Sequence, residues 1–230
     1  MSQENTQLDP LWPLLGVLFK AHPWHGIPIG PDAPESLTAY VEIVPTDTVK
    51  YEIDKVTGHL KVDRPQRYSN VCPALYGFVP RTYCGESVAE LCAQRAGREG
   101  IVGDGDPLDI CVLTERAITH GDVLVTARPI GGLRMIDGGE ADDKIVAVLE
   151  KDMAYGDLHD IADCPPGIVE RLRHYFLTYK QMPGETRQVR IAEVYDRVEA
   201  VEVLRLSLED YRETFGEPSG RAAALARLLR

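Results

Sequence analysis

The chain has 230 residues, 44% of them apolar, and a formal net charge of −11. That length bounds it to one domain, or one domain with extensions, and the apolar content excludes wholesale disorder. The negative balance argues against nonspecific nucleic-acid binding, which needs a basic face, but leaves room for an anionic substrate wherever cations gather locally.

Residues 1–38 read as a Pro-rich, irregular N-terminal extension. Its apolar patch "LWPLLGVLF" (11–19) is too short to span a bilayer and is not flanked like a signal peptide, so it is expected to pack on the domain or on a neighbouring subunit. "AYVEIVP" (39–45) and "TVKYEID" (48–54) alternate like strands. In the second, Val49, Tyr51 and Ile53 fall on one face and Lys50, Glu52 and Asp54 on the other. "KVTG" turns the chain and "HLKVDRP" returns as a hairpin partner. The polar stretch from about 83 to 102 reads as a long surface insertion, with a short helix in "ESVAELCAQRA".

"LDICVLTE" (108–115) is a buried strand, and "DVLVTARPIGGLRMID" reads as two strands broken near Pro129 or Gly131. "DKIVAVLE" is another strand. "PPGIVERLRHYFLTYKQ" is a helix: its prolines suit a start, and Ile168, Leu172, Tyr175, Phe176 and Tyr179 recur at helical spacing. "RQVRIAEVYD" is a strand, a helix spans about 197–214, and "RAAALARLLR" gives a helix-prone C-terminal extension from about 215. There is no internal repeat. Strands first and helices after favour a small mixed barrel with helices outside over a parallel α/β sheet. Five cysteines, Cys72, Cys84, Cys92, Cys111 and Cys164, with no CxxC pair, argue against a disulfide framework or zinc centre and fit a reducing, cytoplasmic setting.

The chemistry concentrates in "GDGDPLD" (103–109). Asp104, Asp106 and Asp109 crowd one turn, although like charges ~4 Å apart repel by about 4 kcal/mol at an effective dielectric near 20. Gly105 and Pro107 let the backbone bend so that all three converge on something positive. Hard carboxylate oxygens suit magnesium or manganese. A plain polar turn before a strand is the simplest reading of the turn alone. A calcium loop matches at Asp104, Asp106 and Glu115 but fails at Leu108 and Asp109, and an apolar strand follows where a helix belongs. A phosphotransfer aspartate would need its strand before the acidic pair, whereas here the strand follows. A second acidic loop, "MIDGGEADDK", holds Asp137, Asp142, Asp143 and Lys144.

In order, "VEI", "VKYEIDKVTGHLKVDR", "YGFVP", "GDGDPLDICV", "RPIGGLRMID", "EADDK" and "HYFLTYK" resemble the soluble family I inorganic pyrophosphatases, over roughly residues 39–182. The resemblance implies a mixed β/α+β fold: a compact five-stranded OB-type β-barrel flanked by α-helices, as a single domain across 1–230. It implies Asp106 as general base and Asp104, Asp109, Asp137, Asp142 and Glu52 as metal ligands. Lys50, Arg64, Tyr76, Lys144, Tyr179 and Lys180 match phosphate-binding groups. Glu42 matches a carboxylate behind the ligands, near a metal-bound water. The implied cofactor is Mg2+, several per site, with Mn2+ possible. The implied substrate is pyrophosphate, hydrolysed by direct attack of water; the implied assembly is a homo-oligomer without nucleic-acid or membrane partners. Cys72 departs from the pattern, standing where many relatives carry a tyrosine, and Tyr68 or Tyr83 is expected to reach in instead. A noncatalytic OB-type binding protein and a phosphohydrolase of other substrate preference are the competing functions.

Overall fold

The computed structural model describes residues 20–181, 184 and 189–216. In chain order its strands are β1 (Leu37–Ile43), β2 (Val49–Ile53), β3 (Leu60–Pro65), β4 (Leu75–Phe78), β5 (Val102–Gly103), β6 (Asp109–Leu113), β7 (Val123–Asp137), β8 (Glu140–Ala141), β9 (Lys144–Leu149) and β10 (Val189–Asp196). The helices are α1 (Glu86–Ala96), α2 (Pro166–Thr178) and α3 (Arg197–Phe215). The patches "LWPLLGVLF" and "RAAALARLLR" lie outside the described residues.

Pairing runs β1–β4–β6–β9–β7, and β7 pairs back to β1 from Leu37↔Ala127 to Val41↔Val123. Five strands therefore close into a ring, which removes the open edges of a flat sheet. β2 and β3 form a separate hairpin outside it. Both faces of the wall are buried: Ile110, Val112, Ile145 and Ala147 enter a core with α1 and α3, while Cys111, Leu113, Val146 and Val148 enter one with α2. That is why β6 and β9 read as continuous apolar runs rather than alternating ones. All five cysteines are buried free thiols. Among the described residues, no helix is long and apolar enough to cross a membrane.

Two expectations need correction. β7 is one strand of 15 residues, not two. A register shift between Pro129 and Gly131 absorbs the proline's missing donor, as a bulge does. Gly131 and Gly132 let β10 and its Tyr195 ring lie close, since a Cβ at Gly132 would meet that ring at 2.3 Å. The stretch from about 83 to 102 does not lie on the surface alone: α1 buries Val88, Ala89, Leu91 and Cys92. Asp210 of α3 accepts the N–H groups of Gly85, Ser87 and Val88 at 3.0, 3.1 and 3.2 Å, supplying from a distance the cap that Gly85 lacks. Lys50 is buried where a register shift beside Tyr51 interrupts the hairpin's alternation.

Candidate active site

The ends of the barrel strands and the β2–β3 hairpin enclose a cleft of about 230 Å3. Parallel pairing of β6 with β9 sets Asp109 opposite Lys144, and antiparallel pairing of β4 with β6 brings Tyr76 alongside. The Tyr76 hydroxyl donates to Asp109 at 2.6 Å, Lys144 meets Asp109 at 2.5 Å, and Lys144 also contacts Asp142. The Lys144 side chain is 1% exposed. Burial alone would pull its ammonium toward neutrality, but Asp109 and Asp142 outweigh burial and hold its pKa well above the usual value.

The acidic turn folds as its glycines require. A Cβ at Gly103 would meet the Cys84 carbonyl oxygen at 2.2 Å, and Gly105 sits at φ +74°. Asp104 Oδ1 accepts the Asp106 N–H at 2.9 Å, while Cys84 N–H donates to the Asp106 carbonyl at 2.9 Å. Asp104 and Asp142 line the same cleft. Burial first, and then the charge of Asp142, raise the Asp104 pKa; burial likewise raises that of Asp142, against the pull of Lys144. Glu42 accepts the Ile53 N–H at 2.7 Å, yet burial pushes its carboxyl up to about 8. Past the end of α2, Tyr179 is buried and Lys180 reaches Asp137 at 2.5 Å. On the hairpin, Lys50 contacts Glu52 and meets Asp63 at 3.0 Å.

Every residue to which the family resemblance gives a role lines this cleft except Arg64, which pairs with Asp63 and lies 6.0 Å from the centre of the Tyr179 ring. The adjacent aspartates separate: Asp142 lines the cleft, whereas Asp143 turns behind it to Tyr195 at 3.2 Å and Arg134 at 3.9 Å. Neither Tyr68 nor Tyr83 lines the cleft. Cys72 is fully buried in the same cluster as Tyr175, while Tyr83 packs on Trp24 and Phe215. Sequence reasoning missed Lys55, whose ammonium contacts Asp106, and Glu140, which also lines the cleft. Both stand in segments already notable for their charges, but their direction depends on how the turns fold.

The lining holds carboxylates, lysines and tyrosines and neither cysteine nor histidine. That donor set fits a hard divalent cation. Among the described residues, no group of three or more His, Cys, Asp or Glu side chains is clustered closely enough to form a ready-made metal centre. Instead each of Asp106, Asp109, Asp137, Asp142 and Glu52 has a lysine ammonium against it.

The sequence model of the inorganic pyrophosphatase family matches residues 39–212. The inorganic pyrophosphatase of Chlamydia muridarum is 54% identical over 199 residues, covering 84% of this chain and 95% of the relative. The crystal structure of the inorganic pyrophosphatase from Thermus thermophilus is similar at a TM-score of 0.70 and 30% identity, covering 84% of this chain and 99% of that one. The type I inorganic pyrophosphatase of Toxoplasma gondii gives 0.72 at 25% identity, covering 85% and 89%. With most of its length matched in sequence and its barrel matched in space, the chain belongs to the inorganic pyrophosphatase family.

Proposed function

We propose that this protein hydrolyses inorganic pyrophosphate to two orthophosphates by direct attack of water, with Asp104, Asp109, Asp137, Asp142 and Glu52 holding divalent cations, Mg2+ or Mn2+. The observation that carries this reading is the gathering of carboxylates and lysines from separate elements into one cleft. Bound there, divalent cations neutralise phosphate charge and lower the pKa of water.

The protein's own groups supply the rest. A carboxylate oxygen of Asp106 takes a proton from the water as it attacks one phosphorus. The bridging oxygen departs with the other phosphate. Lys50, Lys144 and Lys180 offset the charge on the phosphates, and the Tyr76 and Tyr179 hydroxyls donate hydrogen bonds to them. Burial and Asp109 hold the Tyr76 hydroxyl protonated, so it serves as a donor. Arg64 reaches the phosphates beside Tyr179. Glu42 fixes the Ile53 backbone behind Glu52. No side chain is phosphorylated: Asp109 and Asp142 are committed to Lys144 and, when loaded, to cations. The chain works as a single domain in a homo-oligomer, in the cytoplasm, without a nucleic-acid partner.

The test is phosphate release from pyrophosphate with and without magnesium, against ATP and a phosphomonoester. Release from pyrophosphate alone, abolished by chelation, is the expected result. Magnesium should also raise the melting temperature by binding only the folded state, with about 2.7 kcal/mol of stabilisation at a hundred times its Kd. A melt indifferent to magnesium, or equal release from all three substrates, removes the proposal.

A further inference from the structure

The turn joining β2 to β3 is fixed along its backbone and open at one side chain. Asp54 Oδ1 accepts the N–H groups of Val56 and Thr57 at 3.3 and 2.9 Å and the Thr57 hydroxyl at 2.9 Å, and the Asp54 carbonyl accepts the Gly58 N–H at 2.7 Å. Gly58 sits at φ +72°, where a Cβ would meet Pro23 Cδ at 2.7 Å. The His22 ring bonds to the Lys55 carbonyl through Nε2 at 3.2 Å. A carbonyl only accepts, so the proton is on Nε2, and Nδ1 accepts the Trp24 backbone N–H at 3.2 Å. Trp24 is buried and its indole donates to the Thr82 carbonyl at 2.8 Å. The Thr82 hydroxyl in turn accepts the Leu108 N–H at 2.8 Å, next to the acidic turn. Hydrogen bonds thus link the backbone of Lys55 to the segment that carries Asp106.

The Lys55 side chain is free to move by comparison. It is 54% exposed, and its ammonium rests on Asp106 Oδ1, whose side chain is 45% exposed. The other cleft lysines contact carboxylates read here as cation ligands: Lys144 on Asp109 and Asp142, Lys180 on Asp137, and Lys50 on Glu52. Lys55 differs in contacting the carboxylate read as the base. An exposed ion pair is weak. A pyrophosphate anion, carrying several charges, attracts the same ammonium more strongly than a single carboxylate does.

We propose that Lys55 is a further substrate-positioning residue, which rests on Asp106 before substrate enters and turns to the phosphate oxygens when pyrophosphate arrives, leaving Asp106 free to accept the water's proton. The inference rests on the pyrophosphatase reading above and adds a residue to it. The anchored turn sets where the ammonium can reach, and the flexible stem lets it change partner.

The test compares the full chain with Lys55→Met and Lys55→Arg in magnesium. Methionine keeps an unbranched stem of similar length and removes the charge. The expected result is a rise in KM for pyrophosphate of about tenfold in Lys55→Met, the loss of one charge-assisted hydrogen bond, with kcat within about threefold and recovery in Lys55→Arg. Equilibrium affinity for inorganic phosphate should fall by a similar factor, with the melting temperature unchanged. Unchanged KM and phosphate affinity in Lys55→Met overturn the proposal. So does a fall in kcat at unaltered KM, which makes Lys55 a partner of Asp106 alone. If the parent chain releases no phosphate from pyrophosphate, the functional reading fails instead, and the phosphate-binding comparison still decides the role of Lys55.

Discussion

On the floor of the cleft Lys144 is 1% exposed between Asp109 and Asp142, whereas at the outer wall Lys55 is 54% exposed on Asp106. The floor residues stand on β4, β6 and β9, strands of the closed ring. The outer wall stands on a two-stranded hairpin outside that ring. Charges on the floor interact through a poorly screened interior, so each depends on its partner. Those at the outer wall are screened by water and can change partner at little cost. A single cleft therefore combines a preorganised floor with an adjustable rim.

The largest expected effect is on catalysis and leaves the fold alone. Asp106→Asn should lower kcat by a factor of about 10² to 10⁴, the range of a lost general base. Circular dichroism and calorimetric magnesium binding should stay near the parent's, because Asp106 is half exposed. Retained turnover would remove Asp106 as the base.

Next comes stability, which sets floor against hairpin directly. Lys144→Met leaves Asp109 and Asp142 without their shared cation and should cost about 3–5 kcal/mol in urea unfolding. Lys55→Met, which removes an ammonium 54% exposed on a carboxylate 45% exposed, should cost about 1 kcal/mol or less. Equal losses would break the contrast between the two walls.

The smallest effect concerns the strap behind the hairpin. Burial lowers the His22 pKa from its ordinary 6.5, with the Lys55 carbonyl bond and the Asp54 charge working upward against it. With the folded pKa below the unfolded one, the unfolded chain takes up a proton first as pH falls. The contribution of His22 is therefore intact above about pH 6.5 and is lost as the pH drops toward the folded value. Thermal melts between pH 7.5 and about 5 should fall less steeply for His22→Gln than for the parent. Parallel curves would show that the ring's neutral state does not hold the turn.

Much of the cleft was readable from residue types in order. "GDGDPLD" announced a turn that needs a positive partner, and its glycines sit where a close approach and a left-handed φ demand them. The Asp137, Asp142 and Lys144 segment was likewise visible. What escaped was pairing across the chain: Lys55 looked like one member of a turn, and only the folded hairpin aims it at Asp106. No tyrosine takes the place of the one missing at Cys72, because Tyr83 is held by Trp24 and Phe215 and the cleft is lined by Tyr76 and Tyr179 alone among the described tyrosines. The α1 segment looked superficial because its cap, Asp210, lies more than a hundred residues away. Its buried Val88, Leu91 and Cys92 did carry a helical spacing that polar neighbours obscured.

The sequence by itself determined the alternation of strands, the start of α2 at its prolines, and an inventory of carboxylates, lysines and tyrosines suited to a polyanion and its cations, because these depend on local backbone sterics and on residue chemistry. Tertiary structure alone decided that β7 runs unbroken through Pro129, that the ring closes through β1 and β7, and which ammonium meets which carboxylate. Those outcomes depend on long-range register and on burial, which change the strength of a charge without changing its identity.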